Sequence, residues 1–148
     1  MANHYYIISE VSFFENNEDS NTSEFVSGTG IDLNQPCSSQ KPTLGDIKKA
    51  LIDFNINVEI RQNKQDNSFE ILALEEKMWF IFDSINKENE EVGMFRVGRG
   101  SDPNLIIDFI KFLGKTHGHF LYYCDSGTMS LITISKSKEK IYNEMFSQ

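Results

Sequence analysis

The chain has 148 residues, a net charge of −8 and 39% hydrophobic residues, twelve of them Phe. That length suits one domain, 1–148, able to bury about two-thirds of its unfolded surface. No stretch approaches the roughly 20 apolar residues of a membrane span, and the acidic balance excludes nucleic acid and anionic membrane surfaces as expected partners.

Tyr5 to Phe14 (Tyr-Tyr-Ile-Ile-Ser-Glu-Val-Ser-Phe-Phe) is β-rich without strict alternation, which predicts an opening strand covered on both faces for part of its length. Residues 15–42 read as one long acidic, irregular loop, with Phe25-Val26 as a short strand inside it. Thr43-Leu-Gly-Asp46 resembles a capping box, and Leu44, Ile47, Leu51 and Phe54 share one face, predicting a helix over 43–54. Val58 and Ile60 alternate with Glu59 and Arg61; after the turn 63–67, Phe69 to Leu74 is the return strand of a hairpin. Met78-Trp-Phe-Ile-Phe82 is apolar on both faces and predicts a central or helix-covered strand, followed by a charged turn over 86–91 and a strand over Val92 to Val97.

Asp102 and Pro103 form a helix start, an N-cap acceptor followed by a proline at N1. Leu105, Ile106, Phe109, Ile110, Phe112 and Leu113 make a wide apolar stripe, and Gly114 is expected as the C-cap. His119 to Cys124 and Met129 to Ile134 are two strands joined by the turn Asp125-Ser-Gly127. A last helix over 135–146 places Ile141, Tyr142, Met145 and Phe146 on one face. Short turns between strands imply an α+β fold: a mostly antiparallel sheet with two to three helices packed on one face. Helices 43–54 and 103–113 each feed a hairpin, a weak α-β-β internal repeat.

Residues able to do chemistry are few and scattered. His117-x-His119 with Cys124 and Asp125 is the one His/Cys/Asp cluster, but strand alternation puts Cys124 on the face opposite His119, so no metal site is expected. A cysteine nucleophile would need Cys37 or Cys124 beside His4, His117 or His119; Cys124 reads more simply as a small core residue. Gly28-Thr-Gly30 and Gly98-Arg-Gly-Ser-Asp lack the rest of a phosphate-binding pattern, although Arg96 and Arg99 would make an anion pair near a helix start. Glu75-Glu76 and Glu90-Glu91 lie in turns, where solvated neighbours do not split their pKa values for acid–base work. No cofactor is expected. Two cysteines are too few for a disulfide framework, and the opening Met-Ala-Asn-His-Tyr-Tyr has no Lys or Arg ahead of an apolar run; the expectation is reduced thiols in a cytoplasmic protein without a secretory signal.

The charge distribution is more informative. The first 40 residues carry six acids and no Lys or Arg, whereas the remaining 108 hold 16 acids and 14 bases, so three-quarters of the net charge lies in the first 40. Glu15, Glu18, Asp19 and Glu24, flanked by Phe13, Phe14 and Phe25 and joined by Glu88, Glu90 and Glu91, form the expected binding surface for a basic protein: carboxylates steer, and an aromatic among them anchors.

With no targeting signal, no catalytic motif, an α+β layout and strands such as Met78-Trp-Phe-Ile-Phe82 and Phe120-Leu-Tyr-Tyr-Cys-Asp-Ser-Gly127, the chain resembles the small acidic immunity proteins of bacterial contact-dependent inhibition and related polymorphic toxin systems. The resemblance spans the whole chain in style and carries no motif. It implies a non-enzymatic cytoplasmic inhibitor that binds the toxin domain of a cognate effector, often a basic nuclease. The rivals are a small enzyme with sparse motifs (an acyltransferase or hydrolase), signalled by a deep pocket uniting Arg96, Arg99 and His117 or His119, and an adaptor or assembly protein that uses an edge strand or a homodimer.

Overall fold

The computed structural model describes residues 3–16, 40–54, 57–63, 68–73, 77–85 and 87–146, without the side chains of 14–16, 63, 68 and 73. Seven strands form one sheet: β1 (Tyr5–Ser9), β2 (Glu59–Asn63), β3 (Ser68–Ala73), β4 (Met78–Asp83), β5 (Met94–Val97), β6 (Phe120–Cys124) and β7 (Met129–Ile132). The order across it is β2-β3-β4-β5-β1-β6-β7, and every neighbouring pair is antiparallel. Among the described residues four helices accompany it: α1 (Glu10–Asn16), α2 (Leu44–Asp53), α3 (Pro103–His117) and α4 (Lys138–Phe146). The fold is α+β, as the alternation of helices with turn-linked strands implies.

Alternation divides the strand residues between two faces. Ile71, Phe80, Phe82, Phe95, Ile7, Phe120, Tyr122 and Ile132 point to one side and meet Leu44, Ile47 and Leu51 of α2, Ile106, Phe109, Ile110 and Leu113 of α3, and Ile141 and Met145 of α4. At the centre the rings of Phe80, Phe82, Phe95 and Phe109 pack at 5.0–6.5 Å between centroids. Three helices thus cover one face. The hairpins of the two α-β-β units, β2-β3 and β6-β7, lie at opposite ends of the sheet.

The helix starts read from sequence are present. Thr43 Oγ1 accepts the Asp46 N–H at 3.1 Å while Asp46 Oδ2 accepts the Thr43 N–H at 2.9 Å, a reciprocal capping box. Asp102 accepts the Asn104 N–H at 3.0 Å, with Pro103 in the first turn of α3.

Two expectations are corrected. The opening strand stops at Ser9, because Ser9 Oγ accepts the Ser12 N–H at 3.1 Å and turns the chain into α1, with Glu10 in the first turn. Gly114 does not end α3; the helix continues to His117, and the stop is Gly118, whose φ of 81° is the conformation glycine tolerates. β4 is interior, as its composition implies: Met78, Phe80 and Phe82 are covered by helices, and Trp79 and Ile81 point to the other face, half-buried.

Candidate functional site

That second face carries a group of interface-type side chains. Register places Glu70, Ile81, Arg96, Tyr6, Tyr123 and Met129 in one row across β3, β4, β5, β1, β6 and β7. Trp79 on β4 and Met94 on β5 flank it. Tyr6, Ile81, Arg96, Tyr123 and Met129 are partly exposed, and Met94 is 52% exposed. Among the described residues only α1 lies on this side. It covers the β1/β6/β7 end, where Phe13 packs on Leu121 and Leu131 beside Ile8 and Met129.

Local geometry fixes the row. The Arg96 guanidinium holds Asp83 with two bonds of 2.6 Å, Nε to Oδ2 and Nη2 to Oδ1, a fork that sets its direction. The Tyr6 and Tyr123 rings are tilted against each other at 6.0 Å. Trp79 is held by its backbone: its N–H donates to Ser101 Oγ at 3.1 Å and its carbonyl accepts the Gly98 N–H at 2.7 Å. Its indole lies so close over Gly98 that a Cβ there would sit 2.5–2.7 Å from three ring atoms, so only glycine fits beneath it. A pocket of about 180 Å³ opens at this end, lined by His4, Tyr5, Trp79, Ile81, Arg96, Val97, Gly98 and Arg99. Arg96 and Arg99 both line it, with the Trp79 indole beside them. It contains neither His117 nor His119.

Those two histidines, near neighbours in sequence, face different surroundings. His119 Nδ1 lies 3.1 Å from Glu10 Oε2, a carboxylate whose side chain is only 9% exposed. The Glu10 N–H also donates to the His119 carbonyl at 3.0 Å, so the pair ties α1 to the start of β6. His117 lies between α2 and α3, its Nε2 3.9 Å from Asp46, in a groove of about 350 Å³ that Lys49, Asp53, Phe112 and Lys115 also line. The Asp46 carboxyl sits below its ordinary value, chiefly through the hydrogen bond from the Thr43 N–H. Cys124 is buried and unpaired, with Sγ 3.1 Å from Ser126 Oγ. Burial raises the Tyr122 hydroxyl far above the ordinary tyrosine value. Among the described residues no group of three or more His, Cys, Asp or Glu is placed to hold a metal ion, and no helix is long and apolar enough to cross a membrane.

The acidic surface expected from sequence distributes unevenly. Glu18, Asp19, Glu24 and Phe25 lie outside the described residues; Phe14 and Glu15 belong to α1, with side chains that are not described. Phe13 is a correction: at 5% exposure it is a core residue of the second cluster and offers no surface to a partner. Glu88, Glu90 and Glu91 gather at the start of α2. The Glu88 and Glu90 carbonyls accept the Gly45 and Leu44 N–H groups at 2.8 and 3.0 Å, Glu91 bridges Thr43, and Glu88 Oε1 takes Lys48 Nζ at 3.0 Å. Carboxylates there favour the positive end of the helix. Of the 22 acids, eight (Glu15, Glu18, Asp19, Glu24, Asp32, Asp66, Glu75 and Glu76) lie outside the described side chains, as does Lys64 among the 14 bases; the described body is nearly neutral at −1.

The Trp79–Arg96–Tyr6–Tyr123 constellation was not read from sequence. Its signal was present: Met78 to Phe82 is apolar throughout, and an apolar strand beside an antiparallel neighbour can have its second face covered by a partner instead of by its own helices. Comparison with protein-family models, with curated proteins and with solved structures finds no match to this chain.

Proposed function

We propose that this protein is a non-enzymatic binding protein that captures and neutralises a basic protein domain, in the manner of the immunity proteins it resembles, with a cognate toxin, such as a nuclease, as its partner. One observation carries the reading: Trp79, Tyr6, Tyr123 and Arg96, of the residue types that dominate binding hot spots, share the sheet face opposite α2, α3 and α4, and Trp79 and Arg96 line a small pocket there. The net charge of −8 supplies the sign of the partner. A nuclease domain is basic because it holds phosphate, so an acidic inhibitor reaches it quickly and competes with its substrate. Rigid aromatic rings and a guanidinium already fixed by Asp83 lose little side-chain freedom on docking.

The experiment is complex formation with the product of the adjacent upstream gene, followed by calorimetry and an assay of that product's toxicity. The reading expects a stable complex, loss of toxicity, and an affinity reduced about tenfold or more by Met94→Lys, which sets a cation at the exposed centre of the face. Met94 is 52% exposed, so the variant should keep the wild-type melting temperature. A neighbouring product that neither binds this chain nor loses activity in its presence overturns the reading.

A further inference from the structure

The two ends of the sheet are finished differently. At one end the side chains of β7 are covered: Ser130, Leu131 and Ile132 are at most 6% exposed, and Ser130 Oγ donates to Glu144 of α4 at 2.9 Å and accepts from Lys136 Nζ at 3.2 Å. At the other end Glu59, Ile60, Arg61 and Gln62 of β2 are all exposed, and no described strand or helix lies beyond them. Such an edge presents a row of outward N–H and C=O groups that a further strand can pair with. Edges are commonly blunted by lysines, prolines or bulges; β2 instead has an apolar residue at its centre, Ile60, 46% exposed.

Ile60 heads a row that register continues through Ile71, Phe80, Val97, Tyr5 and Cys124, the helix-covered side of the sheet. Ile52 of α2, 65% exposed, stands one turn beyond Lys48, whose Nζ lies 5.8 Å from the Phe69 ring on β3. Two of the large exposed apolar side chains therefore belong to the same side of the sheet, at its β2 end.

The charges on β2 select a partner and an orientation. Glu59 and Arg61 flank Ile60 symmetrically, on the opposite side of the sheet from it, and bond each other at 3.0 Å. An antiparallel strand of the same sequence centred on Ile60 puts Glu59 opposite Arg61 of the second copy and Arg61 opposite its Glu59. Sliding that strand by two residues sets Glu59 against Glu59 or Arg61 against Arg61, and parallel in-register pairing does both; like charges directly opposite are unfavourable. A one-residue slip turns each side chain to the wrong face. Among these registers, the one centred on Ile60 satisfies charge and face together.

We propose that β2 is a self-association edge: two copies of this chain join antiparallel through it, with Ile60 at the two-fold axis, into one continuous sheet. The contact is a five-residue strand and two isoleucines per copy. That is smaller than the roughly 1,600 Å² of a standard stable interface, so the dimer is a weak, reversible one. The shared charge of −8 opposes it at low ionic strength and is screened at about 0.15 M salt.

Sedimentation equilibrium of the full chain from about 10 μM to 1 mM tests the proposal. Wild type shows a monomer–dimer equilibrium. Arg61→Glu sets carboxylates opposite each other twice and weakens the dimer about tenfold or more, while Glu59→Arg combined with Arg61→Glu restores it to within about threefold of wild type. A wild-type chain that stays monomeric throughout overturns the proposal, as does a double swap that associates no better than the single variant. Hydrogen exchange on wild type alone keeps it testable if a variant folds poorly: the β2 amides that point away from β3 gain protection as concentration rises. Protection that ignores concentration, or that appears only with a different strand-forming protein, refutes self-association and assigns the edge elsewhere.

Discussion

Phe13→Ala separates the two roles an aromatic beside an acidic segment can play. Phe13 is 5% exposed and packs on Leu121 and Leu131, with Ile8 and Met129 alongside. Truncating a buried Phe to Ala removes its transfer free energy and leaves a cavity, together about 3–5 kcal/mol. This cluster has three buried members at one end of the sheet, which puts the expected loss near the lower limit, about 3 kcal/mol. For a domain of this length that lowers the melting temperature by about 6–12 °C. Urea titration should show the midpoint falling with an unchanged slope, the signature of lost stability in an otherwise similar folded state. Leu131→Ala should behave alike, and the double variant should fall short of the sum because both deletions empty one cluster. A Phe13→Ala protein within about 0.5 kcal/mol of wild type that nevertheless loses its partner would place Phe13 at an interface and refute the packing of α1 on β6 and β7.

Gly98→Ala drives a methyl group into the Trp79 indole at 2.5–2.7 Å, costing about 1–3 kcal/mol and displacing the ring; Trp79 is the one tryptophan of the chain, so its emission reports the shift, and unchanged emission and stability would contradict the contact. Asp46→Asn weakens the α2 capping box in a pH-dependent way. The folded-state carboxyl lies below its ordinary 3.8, so its stabilisation is present above about pH 4 and is lost as pH falls through the folded value. The melting-temperature gap between wild type and Asp46→Asn should be full at pH 7 and close below pH 4, and a gap independent of pH would reject the link to the carboxylate. Changing Glu15, Glu18, Asp19 and Glu24 to Lys should slow association with a basic partner about tenfold at low salt and flatten its salt dependence; an unchanged on-rate would leave these acids as solubilising groups only.

Local chemistry made the covered half of this fold legible. Thr43 with Asp46, and Asp102 with Pro103, announce their helices because caps are decided within four residues. The hairpins follow from turns between β-rich runs. What sequence concealed was decided at a distance or by one atom. β1 enters the middle of the sheet between β5 and β6, a pairing that no turn encodes. Val11, Phe13 and Phe14 have strand-like composition, and the hydroxyl of Ser9 outweighs them by capping a helix, the local signal being Ser9 followed by Glu10 and Ser12. Gly114 looked like a stop, yet helix interiors tolerate a glycine at modest cost, and Gly118, four residues on, holds the positive φ that ends the element. The Trp79–Arg96–Tyr6–Tyr123 row is assembled from four strands, so periodicity within any one of them could not reveal it.

The division of charge has a consequence for how binding would work. Six of the eight net negative charges belong to the first 40 residues of the sequence. Under the proposed reading, the carboxylates there would act on encounter through their field, while the aromatic face would act on how long the partner stays. The two contributions are then separable: salt changes the association rate, and substitutions at Met94, Tyr6 or Tyr123 change dissociation. The β2 edge joins this scheme through register, since the row that begins at Arg61 passes through Glu70, Ile81, Arg96, Tyr6, Tyr123 and Met129. Two copies joined at β2 would extend that face across both, so a partner that is itself dimeric would gain from avidity where the monomer offers a single contact, and its apparent affinity would rise with the concentration of this chain.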